Sequence, residues 1–84
     1  MSFNLIFEKR ALVNLNNLDK DIKKRIWDKL QLCKENPFRF LKHLEDMPGF
    51  KLRVGDYRVI VDIDKSKLLV LVIKIGHRKN IYEK

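Results

Sequence analysis

The sequence predicts an α+β fold in which two amino-terminal helices pack on one face of an antiparallel-rich, four-stranded sheet. Two observations support this class. Apolar residues recur at helical spacing in the first half of the chain, whereas after residue 50 they alternate in period two. The chain has 84 residues, 45 % of them hydrophobic, which suffices for one modest core. We therefore expect residues 1–84 to form a single domain.

The first half of the chain predicts one strand and two helices. Residues 3–7 alternate in the manner of a short strand, and residues 9–16 place leucines at helical spacing before an Asn-Asn pair interrupts them. A second helix is expected to begin near Asp19, which is a preferred N-cap residue. It must end before Pro37, because the residue preceding a proline is pushed out of the helical region.

The second half predicts three antiparallel strands. Residues 50–63 alternate around a central Gly55-Asp56 pair, and a glycine at the first of two turn positions suits a type II′ hairpin. Residues 68–75 are almost entirely apolar, which is typical of a strand covered on both faces. We expect the opening strand to pair beside this central strand and residues 37–49 to form a connector.

Composition narrows the class of partner. Lys and Arg number 19 against 11 Asp and Glu, so the net charge is +8, and residues 51–84 carry +5 of it. Such an excess favours a polyanionic partner.

No apolar run approaches the ~20 residues of a membrane span, and no basic segment precedes the first apolar stretch as in a signal peptide. The single cysteine, Cys33, allows no internal disulfide and no cysteine cage for a metal, so we expect a cytoplasmic protein without a metal or cofactor.

The hairpin places cations on one face of the sheet. If Gly55 and Asp56 form the turn, Arg53 faces Arg58, and Lys51 lies on the same face. Like charges directly opposite each other destabilise a sheet, whereas guanidinium groups bind phosphate oxygens in a bidentate manner. This pattern favours a phosphate-binding surface over the alternative, which is the solvated face of an amphipathic hairpin.

A second cluster follows the last strand. After Gly76 come His77, Arg78, Lys79 and Tyr82, which combine a titratable group, two cations and an aromatic ring. Histidine can give and take protons near neutral pH, and a tyrosine ring can stack on an unpaired base. Taken singly, Tyr82 is better explained by terminal packing against the sheet, and His77 by a polar residue at the end of a strand.

The segments KLRVGDYRVIVDID and VIKIGHRKNIY, preceded by a strand and two helices, resemble the RelE branch of the RelE/ParE toxin superfamily. The resemblance covers essentially the whole chain. It implies a toxin that enters the ribosomal A site and cleaves mRNA there, and that is neutralised by a cognate RelB-like antitoxin.

The same resemblance implies roles for individual cations. Lys51 and Arg53 match strand positions that contact the RNA backbone, and Lys79 is expected to join them. Arg58 matches the arginine that holds the scissile phosphate, and Arg78 matches one near the leaving oxygen. Arginines can stabilise the charge that develops during attack by the 2′-hydroxyl without a metal ion.

The resemblance also implies that Tyr82 stacks on the substrate base, while His77 stands where members carry lysine or histidine. The general base is then either Lys51 or His77. Two other functions compete with the nuclease. One is a ParE-like toxin that inhibits DNA gyrase and has no catalytic residues, against which the presence of Arg58, Arg78 and Tyr82 argues. The other is a binding module whose catalytic activity has decayed.

Overall fold

One five-stranded sheet forms the centre of the molecule in the computed structural model, which describes residues 2–81. In chain order the elements are β1 (Asn4–Phe7), α1 (Lys9–Asn16), α2 (Lys20–Glu35), α3 (Pro37–Phe40), β2 (Leu41–His43), β3 (Phe50–Val54), β4 (Tyr57–Asp64) and β5 (Leu69–His77). The strand order is β1-β5-β4-β3-β2. Strand β1 runs parallel to β5, and the other neighbours are antiparallel, so the α+β class is confirmed.

The predicted count of four strands is wrong, because the segment expected to be a connector contains α3 and β2. Pro37 begins α3, where its missing N–H costs nothing. Strand β2 then pairs with β3 and buries Leu41 opposite Leu52. A strand of three residues is too short to show a period in sequence, so only its pairing identifies it.

The placement of the opening strand is confirmed, since β1 pairs with β5. Strand β5 has a neighbour on each side, but the middle place in the order belongs to β4 rather than to β5. The predicted hairpin register is also confirmed: Arg53 pairs with Arg58 and Val54 with Tyr57. Gly55 has φ +58°, while Asp56 does not have a positive φ, as a type II′ turn requires.

A register shift in the β4–β5 pair determines which side chains face the helices. Val61 pairs with Val72 and Ile60 with Lys74, so Ile73 has no partner on β4. An extra residue of this kind reverses the alternation of faces along its strand. Val72 on one side of the shift and Ile75 on the other therefore both enter the core.

The core lies between the helices and one face of the sheet, as predicted. Buried side chains from both long helices join those of four strands in one cluster: Ala11, Leu15, Ile26, Leu30, Cys33, Leu41, Leu52, Val54, Val59, Val61, Val70, Val72 and Ile75. Each fully buried leucine or isoleucine contributes about 1.5–3 kcal/mol. No helix among residues 2–81 is long and apolar enough to cross a bilayer.

Candidate nucleic-acid interface

The face of the sheet turned away from the helices carries two rows of side chains that run across the strands. The first, which we call the lysine row, consists of Lys42 on β2, Lys51 on β3, Ile60 on β4 and Lys74 on β5. The second, which we call the arginine row, consists of Arg53 on β3, Arg58 on β4 and Gly76 on β5. We call this side of the sheet the open face.

Both rows place like charges directly opposite each other. Lys42 faces Lys51, and Arg53 faces Arg58. Each such pair costs a few tenths of a kcal/mol up to about one. Within residues 2–81, neither Lys42, Arg53 nor Lys74 forms an ion pair with an acidic side chain. The open face therefore keeps an excess of positive charge that an anionic ligand can neutralise.

Arg58 is held in a fixed orientation by the hairpin turn. Its Nη1 donates hydrogen bonds to the carbonyl oxygens of Gly55 and Tyr57, each at 2.8 Å. The Nε and Nη2 groups make no hydrogen bond to the described part of the chain, so they remain available to an anion. A guanidinium whose position is set before the ligand arrives loses less entropy on binding it.

The segment after β5 is tied to the same turn. The Arg78 N–H donates to the Asp56 carbonyl oxygen at 2.8 Å, and Arg78 Nε lies 3.7 Å from Asp56 Oδ1. Both side chains are more than half exposed, so this ion pair adds about 0–1 kcal/mol at most. The backbone contact is what brings Arg78 close to the hairpin that carries Arg58.

Residues 77–81 fold back over the end of the open face. The N–H groups of Asn80 and Ile81 donate to the His77 carbonyl oxygen at 2.9 and 3.0 Å. The Ile81 side chain is buried over Gly76, where an added Cβ would lie 3.1 Å from Ile81 Cδ1. A glycine at this position therefore allows the close approach. Tyr82, the predicted stacking residue, lies outside the described residues.

His77 does not share a face with the arginine row. It pairs with Tyr57, whereas its neighbour Gly76 pairs with Arg58, so the His77 side chain points to the helix side of the sheet. Its ring contacts Tyr57 edge-on, with 5.4 Å between centroids, and its Nδ1 accepts a hydrogen bond from the Lys79 N–H at 3.2 Å. Of the two candidates for the general base, Lys51 is the one that lies on the open face beside the arginines.

Three further cations near the site were not predicted. Arg25 belongs to a lysine-rich run that is typical of a solvated helix, yet its Nη2 lies 3.0 Å from the position of a Cβ added to Gly55. Lys42 depends on the unpredicted strand β2, and the face of Lys74 depends on the register shift. No alternation in the sequence marks the face of either lysine. No three metal-ligating side chains in residues 2–81 lie close enough together to hold a metal ion.

The sequence is similar to those of known toxins. Residues 5–82 match the family model for the ParE toxin of type II toxin–antitoxin systems. The chain is 30 % identical over 82 residues to the mRNA interferase toxin RelE of Escherichia coli strain K12, covering 94 % of this chain and 86 % of that protein.

Chains of solved toxin–antitoxin complexes have the same fold as this chain. A chain of the intact Escherichia coli RelBE toxin–antitoxin complex superimposes with a TM-score of 0.76 at 29 % identity, covering 92 % of this chain and 96 % of that one. A chain of the toxin–antitoxin complex RelBE2 from Mycobacterium tuberculosis gives a TM-score of 0.84 at 25 % identity, covering 93 % and 100 %.

Proposed function

The chain belongs to the RelE/ParE superfamily of type II toxin–antitoxin toxins, and on this premise we propose that it is a ribosome-dependent endoribonuclease that cleaves mRNA in the A site. The observation that carries the proposal is the position of Arg58. Its guanidinium is fixed by two turn carbonyls on a face that also presents Arg53 and Lys51. A relative with 30 % identity is named an mRNA interferase.

The proposed reaction uses the RNA's own 2′-hydroxyl as the nucleophile. Lys51 Nζ accepts the hydroxyl proton, and the 2′ oxygen forms a bond to the adjacent phosphorus. The bond from phosphorus to the 5′ oxygen breaks and that oxygen takes a proton from solvent water, which leaves a 2′,3′-cyclic phosphate on one fragment and a 5′-hydroxyl on the other. Lys51 then returns its proton to the solvent. Arg58 and Arg53 stabilise the charge on the phosphate oxygens during this step.

Three residues that follow β5 complete the proposed site. Arg78 is tethered to Asp56 at the hairpin turn and would supply positive charge near the departing 5′ oxygen. By resemblance, Tyr82 would stack on the base and hold the nucleotide for in-line attack. Lys79 would add a contact to the RNA backbone.

The experiment that tests the proposal is primer extension on mRNA translated in a purified system, with and without the toxin. We expect new 5′ ends at codons positioned in the A site, and no cleavage of the same mRNA without ribosomes. The Arg58→Ala variant should leave the mRNA intact. Arg10→Ala is the matched control, because Arg10 is an exposed arginine on α1 outside the open face.

A ParE-like toxin that inhibits gyrase is the second candidate, because the matching family model is named for ParE toxins. Cells in which the toxin is induced distinguish the two functions. Intact mRNA together with loss of DNA supercoiling by gyrase would favour the gyrase inhibitor and contradict the nuclease. A ribosome-directed toxin would act in the cytoplasm.

We also infer a cognate antitoxin of the RelB type, since structural relatives were solved as toxin–antitoxin complexes. The positive open face suits an acidic segment of that partner. A saturating antitoxin should raise the melting temperature of the toxin, because it binds the native state and not the unfolded one. Equal melting temperatures would contradict this partner.

A further inference from the structure

We propose that Lys42 and Lys74 bind the RNA backbone at opposite ends of the lysine row, so that the substrate strand crosses the β-strands instead of following them. The proposal rests on the function proposed above and adds two residues to its substrate site. It also gives the direction in which the RNA lies on the sheet.

The dimensions of the sheet support a track of this kind. Lys42 and Lys74 are separated by three strand intervals along β2-β3-β4-β5. At about 4.8 Å per interval, their Cα atoms lie about 14 Å apart across the open face. The arginine row lies two residues further along the strands, or about 7 Å away. A strand of RNA on the lysine row would therefore pass beside the arginines, with backbone on both sides of the cleaved position.

The row also separates its cations into two groups. Ile60 lies between Lys51 and Lys74, and its side chain is buried. Lys42 and Lys74 thus lie on opposite sides of an apolar residue and would contact different phosphates, while Lys51 remains the proposed base. No acidic side chain in the described part of the chain pairs with Lys42 or Lys74.

Protection of a sheet edge is the competing explanation for one of the two lysines. Lys42 lies on the edge strand β2, and lysines at exposed edges prevent association with other chains. That explanation does not extend to Lys74, which lies on β5 between β1 and β4. Lys74 is half-buried in an interior strand. Its side chain lies on the open face only because the register shift at Ile73 reverses the alternation of faces along β5.

The test measures how RNA affinity depends on salt. The probe is a short single-stranded oligouridine with 2′-O-methyl riboses, which cannot be cleaved by 2′-hydroxyl attack, and binding is followed by fluorescence anisotropy. For single strands the slope of log affinity against log salt is about −0.7 for each phosphate contact. Lys42→Gln and Lys74→Gln should each make the slope shallower by about 0.7, and the double variant by about 1.4.

Two controls make the result specific. The double variant Lys20→Gln/Lys23→Gln removes the same charge from α2, on the other side of the molecule, and should leave the slope unchanged. Lys74→Arg keeps the charge and should retain the wild-type slope, which separates loss of charge from loss of packing. If the variants at Lys42 and Lys74 have the wild-type slope, or lose no more than the α2 control, the proposal is wrong.

The salt dependence of RNA binding can be measured whether or not the toxin cleaves RNA. The salt slope could become shallower in the Lys42 and Lys74 variants while the wild-type toxin leaves translated mRNA intact. That result would support the RNA track and contradict the proposed reaction. Normal cleavage of translated mRNA with an unchanged slope in both lysine variants would support the reaction and overturn the track. If Lys42→Gln only increases aggregation and leaves RNA binding unchanged, Lys42 protects the edge and the proposal is overturned.

Discussion

Replacing Arg58 by alanine should reduce cleavage while leaving the fold intact. The side chain is anchored by hydrogen bonds of 2.8 Å to the carbonyl oxygens of Gly55 and Tyr57, with its remaining N–H groups on the open face. If these groups contact the phosphate as charge accumulates, removing them is equivalent to losing an oxyanion contact. Such a loss costs about 2.7–4 kcal/mol of transition-state stabilisation, or about 10²–10³ in rate.

The effect of the same substitution on stability is expected to be smaller. Each hydrogen bond contributes about 0.5–1.5 kcal/mol to the free energy of unfolding. The substitution also removes the repulsion between Arg58 and Arg53, which returns up to about 1 kcal/mol. The net loss should stay below about 3 kcal/mol, against the 5–15 kcal/mol typical of a folded domain. A lower melting temperature without unfolding at the assay temperature is therefore expected.

The assay is single-turnover cleavage of ribosome-bound mRNA, with ribosome binding measured separately. A group that acts only in the transition state lowers the rate constant for cleavage and leaves binding largely unchanged. Arg58→Lys should restore little activity, because one ammonium group cannot both bind the turn carbonyls and present a planar fork to the phosphate. Cleavage by Arg58→Ala at the wild-type rate would refute the role given to this residue.

Three further predictions concern other side chains. Tyr82→Phe should keep most of the cleavage activity and Tyr82→Ala should lose much of it, because stacking needs only the ring; equal rates for both would exclude stacking. If Lys51 is the general base, Lys51→Ala should lose most of the cleavage activity and His77→Gln should keep it; the reverse pattern would identify His77 instead. Burial raises the pKa of the Cys33 thiol to about 11 from 9.0, so iodoacetamide at pH 8 should modify this thiol only after the protein unfolds. The free energy of unfolding should also fall as pH rises from 9 towards 11, because the unfolded chain binds fewer protons than the folded one in this range. Alkylation of the folded protein at the rate of the unfolded protein would contradict this assignment.

The arginine row could be predicted because local sequence determines it. A period of two fixes the face of every residue in β3 and β4, and a two-residue turn at Gly55-Asp56 fixes their register. The opposition of Arg53 and Arg58 follows from these two facts alone. In contrast, Arg25 approaches the turn only because of where α2 packs on the sheet, and no periodicity along the helix encodes that contact.

The lysine row could not be predicted, because long-range pairing determines it. Residues 68–75 are nearly all apolar, so no alternation shows which face a residue of β5 occupies. With regular pairing, Lys74 would share the helix face with Val72, and an unpaired ammonium group would be buried in the core at a high cost. The register shift at Ile73 removes this conflict: Ile75 enters the core in place of Lys74, and the lysine moves to the open face. The same irregularity that completes the core thus adds a cation to the surface proposed to bind RNA.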